Sequence, residues 1–170
     1  MTAPRPRRVA GRRSLVTTRV AALSLAAAAA GATIVGAQST PARGAQAPDG
    51  AKIYSTTCAS CHQATGDGVE GSYPPLAGSE WVSGSEGRVV RILLHGLTGQ
   101  VEVAGETYSG LMPPWGGTLN DAELAAVASY VRANFGNKAA PITAATVARV
   151  RAATAARTTP WTAAELAGVK

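Results

Sequence analysis

The chain is poor in the residues that most site chemistries need. Its 170 residues include two cysteines, two histidines and, apart from the initiator, a single methionine. A structural zinc site takes four such ligands. Once Cys58, Cys61 and His62 are counted, only His95 and the weakly suited thioether of Met112 remain. Aromatic residues are 5% of the chain, with one phenylalanine. A short domain built from such a sequence has a marginal core on its own and needs apolar bulk from elsewhere. Acids are missing from residues 1 to 37, which carry Arg5, Arg7, Arg8, Arg12, Arg13 and Arg19. The formal charge of +6 therefore belongs to the leader. The rest of the chain holds equal numbers of basic and acidic residues, which removes the basis for a nucleic-acid reading. There is no internal repeat to suggest a second copy of any site.

The leader has the order of parts of an export signal: an arginine-rich start, an apolar run from Val20 to Ala37 unbroken by charge, then small and polar residues. The run is near the lower limit of roughly 17–25 residues for a spanning helix, and its alanine content makes its drive to stay in the bilayer modest. Residues 1–37 are thus read as a signal peptide or N-terminal anchor, with cleavage favoured and membrane anchoring through 20–37 as the alternative. Val35-Gly36-Ala37 and Ala45-Gln46-Ala47 offer small-residue cleavage sites, and Arg12-Arg13 matches a twin-arginine signal only weakly. Residues 38–47 read as a linker, 48–137 as the domain and 138–170 as a C-terminal tail.

Within this sparse background the few special residues are concentrated. Cys58-Ala59-Ser60-Cys61-His62 is the attachment signature of c-type haem. On a helical turn the two thiols share a side and can each add to one porphyrin vinyl group, while the next side chain falls where an imidazole nitrogen reaches iron. A redox disulfide would want a preceding strand in a thioredoxin-like βαβ context, which the sequence does not offer. Thioether formation also explains a Cys pair in an exported protein, because it consumes both thiols in an oxidising compartment.

The flanking chain fits this centre. Asp49 opens a helix that carries Ile53 and Tyr54 into Cys58. Gly66-Asp67-Gly68-Val69-Glu70-Gly71 matches the dinucleotide fingerprint by letter, but it runs into Tyr73-Pro74-Pro75 and cannot open the required helix. It reads as a loop around a ligand edge, with the prolines as a stiff wall whose carbonyl can accept the imidazole N–H that faces away from iron. Glu86 to Leu97 is expected to be helical and to end at Gly96. His95 lies in its last turn and is expected to meet helix-end carbonyls rather than iron. Gln100 to Tyr108 alternates about Ala104-Gly105 and suggests a short hairpin.

Met112 stands in Ser109-Gly110-Leu111-Met112-Pro113-Pro114-Trp115, outside any helical stripe. A thioether is a soft neutral ligand that raises the potential of a histidine-ligated haem. Asn120 to Glu123 begins a helix through a capping-box pattern, with Leu124, Val127, Ala128 and Val131 at helical spacing and Gly136 as its end. Its small residues allow close approach to the first helix near Gly50 and Tyr54. Beyond it, Ile142 to Arg157 reads as weakly helical and Thr159-Pro160 as the cap of a final turn, with Trp161 docking the tail on the domain or on a partner.

The attachment motif, proline wall, late methionine and C-terminal helix, in this order from Pro48 to Gly136, resemble the class I c-type cytochromes. The likeness is strongest to small monohaem subunits and domains associated with periplasmic dehydrogenases, nitrite reductases and oxidases. Its fullest stretches are Tyr73-Pro74-Pro75-Leu76-Ala77-Gly78-Ser79, Leu94-His95-Gly96-Leu97 and Tyr108 to Trp115. The resemblance implies an all-α fold wrapped around one covalent haem c, with a short hairpin and a helical tail. It implies Cys58 and Cys61 as attachment points, His62 and Met112 as iron ligands, and Pro74 as holder of the proximal histidine. The expected function is single-electron transfer between redox partners in the periplasm or at the outer face of the membrane. The alternatives are a dedicated haem subunit of a dehydrogenase or oxidase, and a haem enzyme with an open iron position.

Overall fold

The computed structural model describes residues 46–169. The leader and most of the linker lie outside the described residues. Elements follow in the order α1 (Gly50–Ile53), a π turn (Tyr54–Cys58), α2 (Ala59–His62), α3 (Glu80–Ser83), α4 (Glu86–His95), β1 (Leu97–Val103), β2 (Glu106–Met112), α5 (Asp121–Ala133), α6 (Ala144–Ala153) and α7 (Ala163–Leu166). The expected all-α class is therefore corrected: helices are the main elements but make up less than half of the described residues, and they are joined by an antiparallel two-stranded sheet. The cause is the alternation in Leu97 to Met112, which puts Val101, Val103 and Tyr108 on a buried face.

The sheet is longer than the sequence suggests. Ala104 and Gly105, at φ 53 and 83, form the turn, and both positive values suit the tight hairpin class that matches strand twist. Pairing runs from Val103↔Glu106 to Leu97↔Met112. Glycines at 99 and 110 face each other in the ladder and mask its continuation in the sequence, since glycine weakens the strand pattern.

The N-terminal helical run starts where Asp49 accepts from Ala51 N and Lys52 N at 3.0 and 3.1 Å. It packs against α5 at Gly50, where any side chain would collide with the Ala126 carbonyl. Tyr54 meets Tyr130 and Phe135 at ring separations of 5.6 and 5.0 Å. In α5 the Asn120–Glu123 capping box forms in both directions. The helix ends at Ala133, ahead of the Phe135-Gly136 stop, because Asn134 leaves helical geometry and the two positive-φ residues reverse the chain.

The tail is packed into the same core. Ile142, Val147 and Val150 join Val90 and Leu94 of α4 and Leu124, Ala125 and Ala128 of α5 in one buried cluster. Full burial of a Val or Leu side chain contributes about 1.5–3 kcal/mol, so α6 supplies core that the short helices lack. The final turn is capped by Thr162, which forms a capping box with Glu165, and not by Thr159-Pro160. Trp161 docks through its backbone: its N–H donates to Gly96 O at 3.0 Å and its carbonyl accepts from Thr98 N at 2.8 Å. Its ring lies under the Arg157 guanidinium at 3.5 Å.

Candidate haem site

His62 is 8% exposed, and its ring orientation is set by one bond. Nδ1 lies 2.9 Å from Pro74 O. A carbonyl can only accept, so Nδ1 carries the proton and Nε2 keeps its lone pair free for a metal. Burial lowers the affinity of the ring for a second proton, against the opposing effect of the Pro74 carbonyl. A neutral imidazole with a free Nε2 is the form that ligates. The turn around it is tight: Gly68 N donates to His62 O at 3.1 Å, and Tyr54 Oη donates to Gln63 O at 2.6 Å. At Gly68, with φ 69, a side chain would strike the Tyr73 and Pro74 carbonyls. Glycine there lets the proline wall reach the histidine.

The π turn places Cys58 at the end of the first helical run, three residues before Cys61 on α2. Neither is in a disulfide. Burial, reinforced by Cys61, pushes the Cys58 thiol up to about 11. It stays protonated at neutral pH, a poor participant in thiol–disulfide exchange.

Met112 ends β2 and is half-buried. Its segment is stitched to the end of α4: Trp115 N donates to Leu93 O at 2.8 Å and Gly116 N to Leu94 O at 3.3 Å. These bonds satisfy carbonyls that a helix end leaves without partners. Gly96, at φ 82, passes so close to the Met112 carbonyl that no side chain fits. Arg151 of α6 reaches over the same segment, donating to Gly116 O at 2.6 Å, Leu119 O at 3.1 Å and the Asp121 carboxylate at 2.7 Å.

Cys58, Cys61, His62, Pro74 and Met112 all line one open cleft of about 630 Å³, together with Leu97, Val101 and Tyr108. That volume falls in the range of roughly 300–1,000 Å³ usual for cofactor sites. An adjoining deeper cavity of about 110 Å³ is walled by Cys58, His62, Pro74, Met112 and apolar side chains including Val89, Leu93 and Val127. These walls suit a haem. They are apolar where a porphyrin face would lie, and they offer two thiols for attachment, a lone pair on His62 and a soft thioether. A haem seated there would supply the apolar bulk that the sequence lacks.

His95 lines neither cavity. Its expected carbonyl contact is replaced by a bond to the tail, Nε2 to Thr154 Oγ1 at 2.7 Å. The Thr154 hydroxyl gives its proton to Val150 O, so His95 Nε2 is the donor. Sequence reasoning missed two residues. Arg151 lies in a weakly patterned helix and gave no signal. Arg132 also lines the deep cavity and is 4% exposed. Its signal was readable, since it follows Leu124 and Ala128 on the same stripe of α5.

Comparison with known proteins agrees with this geometry. The family described as cytochrome C oxidase, cbb3-type, subunit III matches residues 45–131. Cytochrome c-552 of Thermus thermophilus is 42% identical over 112 residues, which cover 61% of this chain and 84% of that protein. The chain belongs to the cytochrome c family. Other relatives are larger proteins. The fructose dehydrogenase cytochrome subunit of Gluconobacter japonicus is 34% identical over 61% of this chain and 22% of its own length. The cbb3-type cytochrome c oxidase subunit FixP of Bradyrhizobium diazoefficiens is 30% identical over 56% of this chain and 30% of its own. The protein is accordingly a monohaem c-type cytochrome of class I: it carries one covalent haem c, transfers electrons and is not itself an enzyme. No helix among the described residues is long and apolar enough to cross a membrane.

Proposed function

We propose that Cys58 and Cys61 form the thioethers, that His62 Nε2 and Met112 Sδ ligate iron, and that Pro74 O holds the proximal ring. The observation that carries this reading is the His62–Pro74 bond of 2.9 Å, which leaves Nε2 free on the cavity that Met112 also lines. When bound, haem would supply a one-electron iron couple, and ligation by the Met112 thioether together with the His62 imidazole would favour the ferrous state. Were His62 and Met112 both to hold the iron, these two residues would leave it no position for substrate, which would separate the carrier from a haem enzyme. The rigid stitching of Met112 to α4 keeps the sulfur in place as iron changes charge. The chain would wrap its haem between the N-terminal run with the proline wall on one side and the hairpin on the other.

The cytochrome domain is read as 48–137 with 138–170 as its C-terminal extension, following an export leader at 1–37. The work of the protein would then lie in the periplasm or at the outer face of the membrane, between a donor and an acceptor of the dehydrogenase or oxidase kind. The open rim of the cleft suits such exchange, because Tyr73 and Leu111 on it are 43% and 63% exposed, and exposed apolar patches mark contact surfaces. A role as dedicated haem subunit is favoured by the cytochrome-subunit relatives and keeps the same ligands. The test is the optical spectrum of ferric protein. A thioether-to-iron charge-transfer band that vanishes in Met112→Ala supports the assignment. Its absence in unmutated protein, with rapid cyanide binding, would sink the carrier and leave the open-site enzyme.

A further inference from the structure

The deep cavity is mostly apolar, with Cys58, His62 and Ser79 also in its lining, and it has one guanidinium. Arg132 reaches it from the last turn of α5, among Val82, Val89, Val127, Ala128 and Val131. Its guanidinium is held by three carbonyls: Nε donates to Ala140 O at 2.7 Å, and Nη1 to Val82 O at 2.6 Å and Gly84 O at 3.0 Å. Those bonds orient the group but carry no countercharge. The ion pairs among the described residues are Arg151–Asp121 and Arg157–Glu165, and Arg132 is in neither. Nη2 has no hydrogen-bond partner among the described residues. A buried cation is costly unless it is paired, and a planar guanidinium with donors to spare is shaped for a carboxylate.

Resting on the haem assignment above, we propose that Arg132 binds a haem propionate and is a positioning residue for the cofactor. A porphyrin held by His62 and Met112 would bring its own two carboxylates, so the guanidinium that lines this cavity without an ion pair among the described residues is one the ligand can neutralise. The carbonyl tethers tie the anchor to α3 through Val82, to the turn after it through Gly84, and to the chain after α5 through Ala140. The haem edge and the C-terminal extension are thereby linked by one side chain. The cation also biases the iron couple, because positive charge near the ring disfavours the ferric form and holds the propionate ionised.

The experiment uses the full haem-loaded protein. Arg132→Gln is expected to shift the ferric/ferrous equilibrium toward ferric by about tenfold, which is 59 mV for one electron. The same variant should make the potential vary with pH in the mildly acidic range, as the propionate begins to take a proton. Arg132→Lys keeps the charge and should stay near the unmutated value. Unmutated ferrous protein gives a readout independent of any variant's folding: nuclear Overhauser contacts between the Arg132 guanidinium protons and the propionate methylenes. Their absence, or a Gln variant with unchanged potential and pH profile, would make Arg132 only a strut for three carbonyls and overturn the proposal. The charge-transfer band recorded on the same samples tests the Met112 assignment separately.

Discussion

The two walls of the haem cleft are built in opposite ways. The histidine wall is local: Tyr54, Cys58, Cys61, His62, Gly68 and Pro74 lie within about two dozen residues, and its bonds, such as His62 to Pro74, close inside that span. The methionine wall is assembled from afar. Met112 pairs with Leu97, Thr98 beside Leu97 donates its N–H to Trp161 O, and Arg151 clasps the segment that follows Met112. The hydrogen bonds that set the attachment side close within the motif, whereas those that set the distal side depend on the last third of the chain.

The largest effect should come from the local wall. The double variant Cys58→Ala, Cys61→Ala removes both attachment points, and mass spectrometry should show complete loss of the covalent haem adduct. Since the haem fills a core that is marginal alone, cooperative thermal unfolding should be lost with it. Retained covalent haem would mean that the attachment chemistry lies elsewhere.

Next in size is a test of the distant wall. Leu166 of α7 is fully buried, and α7 packs against β1. Leu166→Ala should cost about 2–5 kcal/mol. The more telling readout is order of loss: in a denaturant series the thioether-to-iron band should disappear before helical circular dichroism falls, because the hairpin side opens as a smaller unit. Coincident transitions in this variant would break the comparison of the walls.

The same asymmetry explains what the sequence disclosed. Cys58, Cys61, His62, Pro74 and the α5 capping box are short-range patterns, so each was readable from a few neighbours. The hairpin was half visible, because Gly99 and Gly110 hide the end of its ladder. The partner of His95 and the reach of Arg151 depend on α6 returning over α4 and α5, a pairing fixed by tertiary packing and by no local spacing. Arg132 was legible in principle as a charge on an apolar stripe, but only the cavity gives that charge a meaning.

A smaller effect isolates the local wall. Tyr54 is 2% exposed and burial drives its phenol up to about 12, so it stays a neutral donor to Gln63 O at 2.6 Å. Tyr54→Phe deletes that bond and the longer contact to His62 O at 3.5 Å, and should cost about 0.5–1.5 kcal/mol. Here the charge-transfer band and the helical signal should be lost together, in contrast to Leu166→Ala, since the first helical run packs on α5 at the centre of the fold. Separate transitions would show that the histidine wall too can open alone.

The smallest effect is a pH dependence that belongs to the distant wall. Burial, then the charges of Arg157, Arg151 and Arg91, hold His95 below its ordinary range. In the unfolded chain it titrates near 6.5, so below that pH the unfolded state binds a proton that the folded state refuses. Stability from this residue is therefore complete above about pH 6.5 and is lost as pH falls through that value toward the folded one. The urea midpoint should decline from pH 7.5 to pH 5, and His95→Gln, whose amide can still donate to Thr154, should flatten the decline. His62 is shared by both proteins and cancels in the difference. An equal decline in the variant would show that the acid sensitivity arises outside the contact between α4 and the tail.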